Sequence, residues 1–361
     1  MSARLEKLRR LLAEKELDAL LVSQAENRRY LSGFHGTAGY LLVTADASLL
    51  ATDPRYTEKA QREAPDFEVI EIRGEVQKWL PGLVERLAAR RLGFEDDGVT
   101  YAGYAQVRDA LTTVPEASRP QLVPTSGLVG GLRAIKDAEE IALIQEAIDL
   151  SDLAFNEVAP ALRPGMTEKQ AAWTFERFLR EHGSEELSFE LLVASGPNTA
   201  MPHAEAGDRP IQAGEPVQVD MAACVHGYTS DLSRAFVVGH EPDETFQRVY
   251  DIVLGAQLTA AATIAAGMSG HEADRLARTV IEQAGYGDNF GHGLGHGIGL
   301  AIHEQPRLGP NSTDMLTDGM VFTLEPGIYI SGWGGVRIED VGLMENGRVR
   351  VLSRAIKTER F

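Results

Sequence analysis

Cysteine and long apolar runs are both scarce in the sequence. Cys224 is the only cysteine among 361 residues, which excludes an intrachain disulfide and a cysteine-rich zinc site. Charged residues interrupt the N-terminal stretch MSARLEKLRRLLAEKELDALLV, which is therefore not typical of a signal peptide. No apolar run approaches the length that spans a membrane. These absences favour a soluble cytoplasmic protein.

Positive charge is also in short supply. The sequence has 35 lysines and arginines against 53 aspartates and glutamates, which gives a formal net charge of −18. This balance argues against nucleic acid and anionic membranes as partners, because both attract basic surfaces. An acidic balance usually reflects solubility alone, but it gains significance if some of the carboxylates bind cations.

The length of the chain favours two domains. Alternating helical and strand patterns predict an α/β domain over residues 1–125. The Pro-, Ser- and Gly-rich stretch 114–131 is typical of a linker. The apolar periodicity over 132–162 then predicts one long amphipathic helix, which opens a second domain over 126–361.

A weak internal repeat organises the second domain. PGMTEKQ (164–170) resembles AGMSGHE (266–272), and IQAGEPVQVD (211–220) resembles LTDGMVFTLE (316–325). The common order of the two matches indicates a duplication, whose equivalent positions would meet across a pseudo-twofold axis. A site between the halves would then combine His203, Asp220 and Asp231 of the first half with His303, Glu325 and Glu339 of the second.

Four carboxylates fall within or at the ends of predicted strands. Asp220 ends VQVD, Asp231 follows across a predicted hairpin, Glu325 precedes a proline in TLEPG, and Glu339 lies inside GVRIED. An ionised carboxylate is costly to bury without a partner. Carboxylates with one imidazole suit hard or borderline divalent ions, and four exceed the usual complement of one zinc. The pattern therefore indicates two bridged metal ions.

The stretch GHGLGHGIGLAIHEQP (291–306) concentrates glycine and histidine. If 291–300 is extended, His292 and His296 share one face, and the alternate glycines let another backbone or a ligand approach closely. The stretch lacks the Lys-Ser/Thr ending of a phosphate-binding loop and the second histidine of a zincin helix. We therefore expect one histidine to bind metal while another faces the substrate.

The residues as a set resemble the creatinase, prolidase and methionine aminopeptidase group of dinuclear metallopeptidases. The resemblance lies in VDMAACVHGYTSD, GHGLGHGIGLAIHEQP, TLEPG and GVRIED, which occur in the expected order. It implies an α/β creatinase-like N-terminal domain and an α+β catalytic domain with the pita-bread fold and its pseudo-twofold repeat. The N-terminal domain, His292 and Arg337 resemble the Xaa-Pro peptidase branch, prolidase or aminopeptidase P, because methionine aminopeptidases typically lack all three.

The resemblance implies a metal-ligating role for five residues. Asp220 would hold one ion, His296 and Glu325 would hold the second, and Asp231 and Glu339 would bridge the pair. Two cations lower the pKa of a shared water, so a bridging hydroxide would attack the scissile carbonyl of the X–Pro bond. Manganese is the expected ion, and cobalt, zinc and iron stay open.

The resemblance also implies roles at the reacting bond and the substrate. Glu325 would relay a proton, while His203 and His303 would hydrogen-bond the carbonyl and the developing oxyanion. His292 would shape the proline pocket, and Arg337 would orient Glu339 or touch the substrate. Tyr228, in the hairpin between the two aspartates, is a further candidate for supporting a ligand or the substrate.

Proline-containing peptides are the expected substrates, and a homodimer is the expected assembly. In relatives the N-terminal domain helps to close the site, and the stretch 27–40 resembles the segment that does so. Three of its side chains are candidates for binding a substrate carboxylate. They are Arg28, Arg29 and His35.

Several functional alternatives stay open within and beyond this branch. The short chain favours an Xaa-Pro dipeptidase over an aminopeptidase P that acts on longer peptides. A creatinase-like hydrolase would depart from the group at the ligand positions, and this chain keeps all five ligands. A non-catalytic peptide-binding module would typically have lost them.

Overall fold

The computed structural model describes residues 3–185 and 189–361. The chain divides into two compact units, Met1–Arg133 and Ala134–Phe361. The sequence predicts the domain boundary a few residues earlier, between 125 and 126. Among the described residues, no helix is both long enough and apolar enough to cross a membrane.

The N-terminal unit is built on a mixed six-stranded sheet. Its strands are β1 (Ala19–Val22), β2 (Tyr40–Thr44), β3 (Ser48–Thr52), β4 (Glu68–Glu71), β5 (Arg91–Phe94) and β6 (Gln121–Pro124). The strand order is β4-β3-β2-β1-β5-β6. Strand β2 is antiparallel to both neighbours, whereas β1/β5, β5/β6 and β3/β4 are parallel. The predicted α/β class is confirmed for this unit.

Helices alternate with these strands along the chain, except between β2 and β3. They are α1 (Ala3–Glu14), α2 (Ala25–Ser32), α3 (Thr57–Glu63), α4 (Leu80–Arg86), α5 (Tyr101–Leu111) and α6 (Leu128–Ala134). Leu5, Leu8 and Leu12 are buried on one face of α1, which is the spacing of an amphipathic helix. Helix α2 is short, and its AENRRYLS sequence shows so little apolar periodicity that local pattern does not predict it.

The predicted linker 114–131 is wrong in two places. Gln121–Pro124 forms β6 at the edge of the sheet, and α6 begins at Leu128. An edge strand tolerates proline, because the missing amide hydrogen faces no neighbouring strand. A Pro-rich stretch can therefore form an edge strand as well as a linker.

The C-terminal unit begins its helices at capped residues. The helices are α7 (Ala138–Val158), α8 (Glu168–Glu181), α9 (Glu244–Thr263) and α10 (Gly270–Gln283). The prediction of one helix over 132–162 is wrong, because α6 ends at Ala134 and Asp137 starts α7. The Asp137 side chain accepts a hydrogen bond from the Glu140 amide at 2.9 Å, and the Glu140 side chain accepts one from the Asp137 amide at 3.1 Å. This capping box fixes the start of α7.

The strands of this unit form two sheets and two short ribbons. They are β7 (Leu192–Ser195), β8 (Pro216–Met221), β9 (Cys224–Val225), β10 (Tyr228–Thr229), β11 (Leu232–Val237), β12 (Gly295–Gly297), β13 (Glu304–Leu308), β14 (Val321–Leu324), β15 (Gly327–Ile330), β16 (Gly334–Arg337), β17 (Asp340–Glu345) and β18 (Arg348–Val351). The sheets have the orders β11-β8-β7 and β13-β12-β14-β17-β18, and the ribbons are β9/β10 and β15/β16.

The two halves of this unit repeat one local arrangement. Thr167 and Ser269, 102 positions apart (269 − 167), each cap a helix through a complete capping box. Each also forms an isolated β-bridge, with Pro210 and Met315 respectively. Each half buries its own hydrophobic cluster between its helices and its strands. These parallels support the predicted duplication.

Candidate metal centre

The first pair of predicted ligands comes from one antiparallel hairpin. Asp220 lies in β8 opposite Ser233 of β11, and Asp231 immediately precedes β11. Asp231 is only 5% exposed. Burial, and next the charge of Asp220, raise the pKa of Asp231 well above its ordinary range. The hairpin therefore brings the two carboxylates together, as the sequence predicts.

The second pair of predicted ligands lies at the ends of strands in the second half of the C-terminal unit. Glu325 directly follows β14, and Glu339 stands between β16 and β17. The Glu339 amide donates to the Ser233 carbonyl oxygen at 3.0 Å, which ties this strand end to the first hairpin. Burial, and next the charge of Asp231, raise the pKa of Glu339 well above its ordinary range. Carboxylates from the two halves therefore face each other.

His296 supplies the imidazole at this cluster. Its Nε2 lies 3.3 Å from Glu325 Oε1 and 3.6 Å from Asp231 Oδ2. Donor atoms of Asp231, His296 and Glu339 all lie within 4.8 Å of one another. The His296 Nδ1 donates to the Gly297 carbonyl oxygen at 3.2 Å, which leaves the Nε2 lone pair directed at the carboxylates.

The electrostatics of this cluster fit a divalent metal centre. Burial raises the pKa of Glu325 to about 7, and the charge of Asp220 adds to that effect. Burial lowers the pKa of His296 to about 4, so its imidazole is neutral and able to ligate. The Asp220 Oδ1 atom is buried and has no hydrogen-bond partner among the described residues. Crowded carboxylates with an unsatisfied oxygen suit cations, which offset the shared charge.

A second network links Asp220 to His292 and includes a tyrosine that the sequence analysis missed. Arg337 Nη2 donates to Asp220 Oδ2, and its Nη1 donates to the Tyr329 hydroxyl oxygen at 2.9 Å. His292 Nδ1 donates to the Gly293 carbonyl at 2.8 Å, so its Nε2 accepts from the Tyr329 hydroxyl at 2.9 Å. The signal available in the sequence is the alternation of TLEPGIYI, which places Tyr329 on a strand close to Glu325.

His303 lies beside His296, and His203 lies near enough to act on His303. The rings of His296 and His303 meet edge to face, with centroids 4.2 Å apart. Burial, and next the charge of His203, lower the pKa of the half-buried His303. His203 also lowers the pKa of His292, after burial and two arginines. The structure therefore gathers the four predicted histidines around the carboxylate cluster.

Tyr228 contacts the start of α7. Its hydroxyl donates to Glu140 Oε1 at 3.0 Å, next to the start of α7, and its ring packs in a hydrophobic cluster. Buried hydroxyls need such partners. This contact supports the hairpin that carries Asp231, while a substrate contact by Tyr228 stays a prediction. His226, in the same hairpin, has a positive φ of 48° and is a turn residue.

The N-terminal candidates for carboxylate binding also have defined contacts. Arg28 is 4% exposed and donates to the carbonyl oxygens of Ser23 at 2.6 Å and Gly36 at 2.9 Å. Its guanidinium therefore already binds the local backbone, and a role for Arg28 in carboxylate binding stays a prediction. His35 Nδ1 lies 3.0 Å from Glu63 Oε2. Roles for His35 and Arg29 in carboxylate binding stay predictions.

The glycines of 291–299 allow neighbouring backbone to approach. A Cβ on Gly295 would lie 2.0 Å from the Thr323 carbonyl oxygen, and one on Gly297 would lie 2.1 Å from the Gln305 carbonyl oxygen. The condition that 291–300 is extended holds only in part, since within this stretch the strand is Gly295–Gly297 and the register shifts after His296. The predicted close approach is confirmed, and it comes from the flanking strands.

Replacing Gly297 by alanine tests this packing. We expect Gly297→Ala to lower the free energy of unfolding by about 3 kcal/mol, because the new methyl group meets a fixed backbone carbonyl. Gly291→Ala is the matched control, since a Cβ there meets nothing within 4 Å. Thermal unfolding of both variants checks the prediction. An equal effect of the two substitutions would contradict it.

Comparison with known proteins identifies the family. Residues 142–346 match the group described as metallopeptidase family M24, and residues 4–135 match the creatinase/prolidase N-terminal domain. The chain belongs to metallopeptidase family M24. The M24 assignment confirms the predicted pita-bread catalytic domain and creatinase-type N-terminal domain. It also implies a dinuclear site for divalent metals.

Relatives of this M24 peptidase carry two activity names. The chain is 34% identical to the Xaa-Pro dipeptidase of Pyrococcus furiosus over 100% of this chain and 99% of that protein. The solved structure of an Xaa-Pro dipeptidase from Bacillus anthracis matches with a TM-score of 0.94 and 39% identity over 99% of both chains. An X-Pro aminopeptidase from Thermotoga maritima matches with a TM-score of 0.90 and 34% identity, again over 99% of both chains. The M24 chain therefore belongs among the Xaa-Pro peptidases.

Proposed function

We propose that this M24 peptidase is an Xaa-Pro dipeptidase that uses two manganese ions and acts as a homodimer. The observation that carries the proposal is the convergence of four carboxylates and one neutral imidazole beside a separate group of histidines. Carboxylate-rich ligation suits manganese better than softer ions. The higher identity to the Bacillus anthracis Xaa-Pro dipeptidase than to the Thermotoga maritima X-Pro aminopeptidase favours dipeptides, and aminopeptidase P activity on longer peptides is the alternative.

The metal centre would hold two ions between its five ligands. We propose Asp220 for one ion, His296 and Glu325 for the other, and Asp231 and Glu339 for both. When bound, two divalent cations supply a water of lowered pKa and polarise a carbonyl group. Arg337 holds Asp220 in place through its Nη2 donor. Such outer partners orient a ligand and fix its charge.

The protein's own residues would then handle the proton and the developing charge. Glu325 Oε1 accepts a hydrogen bond from Thr323 Oγ1 at 3.2 Å, which orients the carboxylate. We propose that Glu325 takes a proton from the attacking water and delivers it to the leaving prolyl nitrogen. His303 and His203 would donate hydrogen bonds to the carbonyl oxygen as its negative charge grows.

The proline side of the site would involve His292. Burial lowers the pKa of His292 to about 4, so its ring is neutral at physiological pH. Its ring lies 5.0 Å from that of Phe290 and 5.5 Å from that of Tyr329, measured between centroids. A neutral, aromatic-lined surface suits a proline ring, which has no amide hydrogen to donate in a peptide bond.

Hydrolysis by chelator-stripped protein tests this function. Ala-Pro, Ala-Pro-Ala and the control dipeptide Ala-Ala would be compared with and without added Mn²⁺. We expect manganese to restore cleavage of Ala-Pro, with Ala-Pro-Ala a poorer substrate and Ala-Ala uncut. Preference for Ala-Pro-Ala would favour aminopeptidase P. No cleavage of either proline peptide with any divalent metal would overturn the proposal, and sedimentation of the same sample tests the homodimer.

A further inference from the structure

The segment 196–206 carries His203 without holding its ring. His203 is exposed, and its ring makes no hydrogen bond to any other residue that the structure describes. His292, by contrast, is held at both ring nitrogens. The position of His203 therefore depends on how the backbone of its segment is anchored.

Both ends of this segment are anchored to one carboxylate. Glu168, the first residue of α8, is completely buried. Its Oε1 accepts hydrogen bonds from the Ser195 amide at 2.7 Å and the Ser195 hydroxyl at 2.8 Å. Its Oε2 accepts from the Gly207 amide at 3.0 Å. One carboxylate therefore closes the loop that begins after Ser195 and ends at Gly207.

Further contacts make this closure specific. Asn198 Nδ2 lies 3.0 Å from Oε1 and 3.3 Å from Oε2 of Glu168, so an amide inside the loop also binds the carboxylate. The Lys169 amide donates to the Gly207 carbonyl oxygen at 3.0 Å. A Cβ on Gly207 would lie 3.2 Å from Glu168 Oε2, so the glycine permits this close approach.

The opposite side of the loop contacts the strand that carries Arg337. The Gly335 amide donates to Thr199 Oγ1 at 2.7 Å, and Arg337 Nη1 donates to the Pro202 carbonyl oxygen at 3.3 Å. Pro202 directly precedes His203. The loop is therefore held between Glu168 on one side and the network that binds Asp220 on the other.

The second half of the unit holds its histidine segment in a related way. Asp274 on α10 is fully buried, and its Oδ1 accepts from the Leu294 amide at 3.0 Å. Arg278, paired with Asp274, donates to the carbonyl oxygens of Phe290 at 2.8 Å and His292 at 2.6 Å. In both halves, a helix that begins at a capping box presents a buried carboxylate to a histidine-bearing loop.

We propose that Glu168 is a positioning residue, whose carboxylate fixes the 196–206 loop so that His203 reaches the substrate carbonyl. The proposal rests on the proposed function, since it assigns His203 to the reacting bond. Glu168 itself is fully buried and does not touch the substrate. Its charge is suited to this role, because a carboxylate accepts several donors at once, whereas a glutamine offers only one accepting oxygen.

Replacing Glu168 by glutamine tests the proposal. In the variant, the side-chain amide nitrogen faces a hydrogen-bond donor at one end of the loop. It cannot accept that hydrogen bond, so the loop should loosen there. We expect kcat for Ala-Pro to fall about 30-fold with KM changed less than about two-fold, because the lost interaction acts in the transition state. Hydrogen exchange of the 196–206 amides should be faster, while Mn²⁺ affinity stays unchanged. Asn198→Ala, a milder change, should shift both readouts in the same direction.

A double-mutant cycle separates positioning from general stability. His203→Ala should lower kcat strongly in the native chain but by less than about three-fold in the Glu168→Gln chain, because the two changes remove one effect. Glu181→Gln, an exposed site on the same helix, is the matched control and should leave all readouts unchanged. The proposal would be overturned if His203→Ala lowered kcat by the same factor in the native and Glu168→Gln chains. It would also be overturned if the 196–206 amides of Glu168→Gln exchanged at the native rate.

The exchange measurement keeps the two proposals distinguishable. It needs no substrate, so it reports on the Glu168 contacts even if the native protein fails to cleave X–Pro peptides. Faster exchange in Glu168→Gln without any peptidase activity in the native chain would contradict the proposed function and the role of His203 but leave the anchoring of the loop established. Unchanged exchange with full activity would contradict the anchoring alone.

Discussion

Glu339→Gln is expected to lower kcat/KM for Ala-Pro about 1000-fold, which corresponds to about 4 kcal/mol of transition-state stabilisation. Glu339 is 2% exposed and lies among the carboxylates of the metal centre. Glutamine has the same shape but lacks the negative charge with which Glu339 would bridge two cations in the proposed centre. Steady-state kinetics at saturating Mn²⁺, together with the bound manganese per chain, measure the effect.

The fold should survive this substitution. In the metal-free protein, burial raises the pKa of Glu339 well above its ordinary range, so the neutral acid is the form that the fold accepts there. Glutamine mimics that form. Glu345→Gln is the matched control on β17, because Glu345 is exposed and pairs only with surface Arg350 among the contacts seen for it. Activity of Glu339→Gln within ten-fold of the native chain would contradict the bridging role.

Chelator-stripped protein should lose stability as the pH rises from about 5 to about 8. The pKa of Glu325 is about 7 in the folded protein, above its ordinary value of 4.5. The folded state therefore binds more protons than the unfolded state between these values, so the free energy of unfolding falls as pH rises. Glu325 alone contributes a loss of about 3 kcal/mol. The raised pKa values of Asp231 and Glu339 act in the same direction.

Thermal unfolding across this pH range, with and without Mn²⁺, measures the effect. We expect the Tm of the stripped protein to fall by roughly 10 °C. Saturating Mn²⁺ should abolish the fall, because cations replace the protons that the crowded carboxylates otherwise retain. Glu325→Gln should show a shallower dependence in the stripped state. The same pH trend with and without metal would contradict a metal centre at these carboxylates.

The carboxylates of the site could be predicted because each lies within or beside a strand whose apolar neighbours mark it. VQVD and GVRIED place a charge where an apolar side chain is expected, which is costly unless a cation or a proton binds there. Asp231 could be predicted for a related reason, because the chain turns back after β8 and brings it beside Asp220. Local pattern and elementary electrostatics were sufficient for these residues.

Other parts of the site depend on contacts that no local pattern records. Tyr329 matters because it joins Arg337 to His292, and Glu168 matters because it binds two loop ends that are distant in sequence from each other. Arg28 is a related case, since only the fold shows that two of its guanidinium nitrogens bind the carbonyl groups of Ser23 and Gly36. Burial and partner identity decide such cases, and both require the fold.

An anomalous-scattering map of Mn²⁺-soaked crystals tests the central claim most directly. The account predicts two peaks between the halves of the C-terminal unit, with Asp231 and Glu339 in contact with both. Asp220 should contact one ion, and His296 and Glu325 the other. A single peak, or manganese bound away from these five residues, would contradict a dinuclear peptidase site.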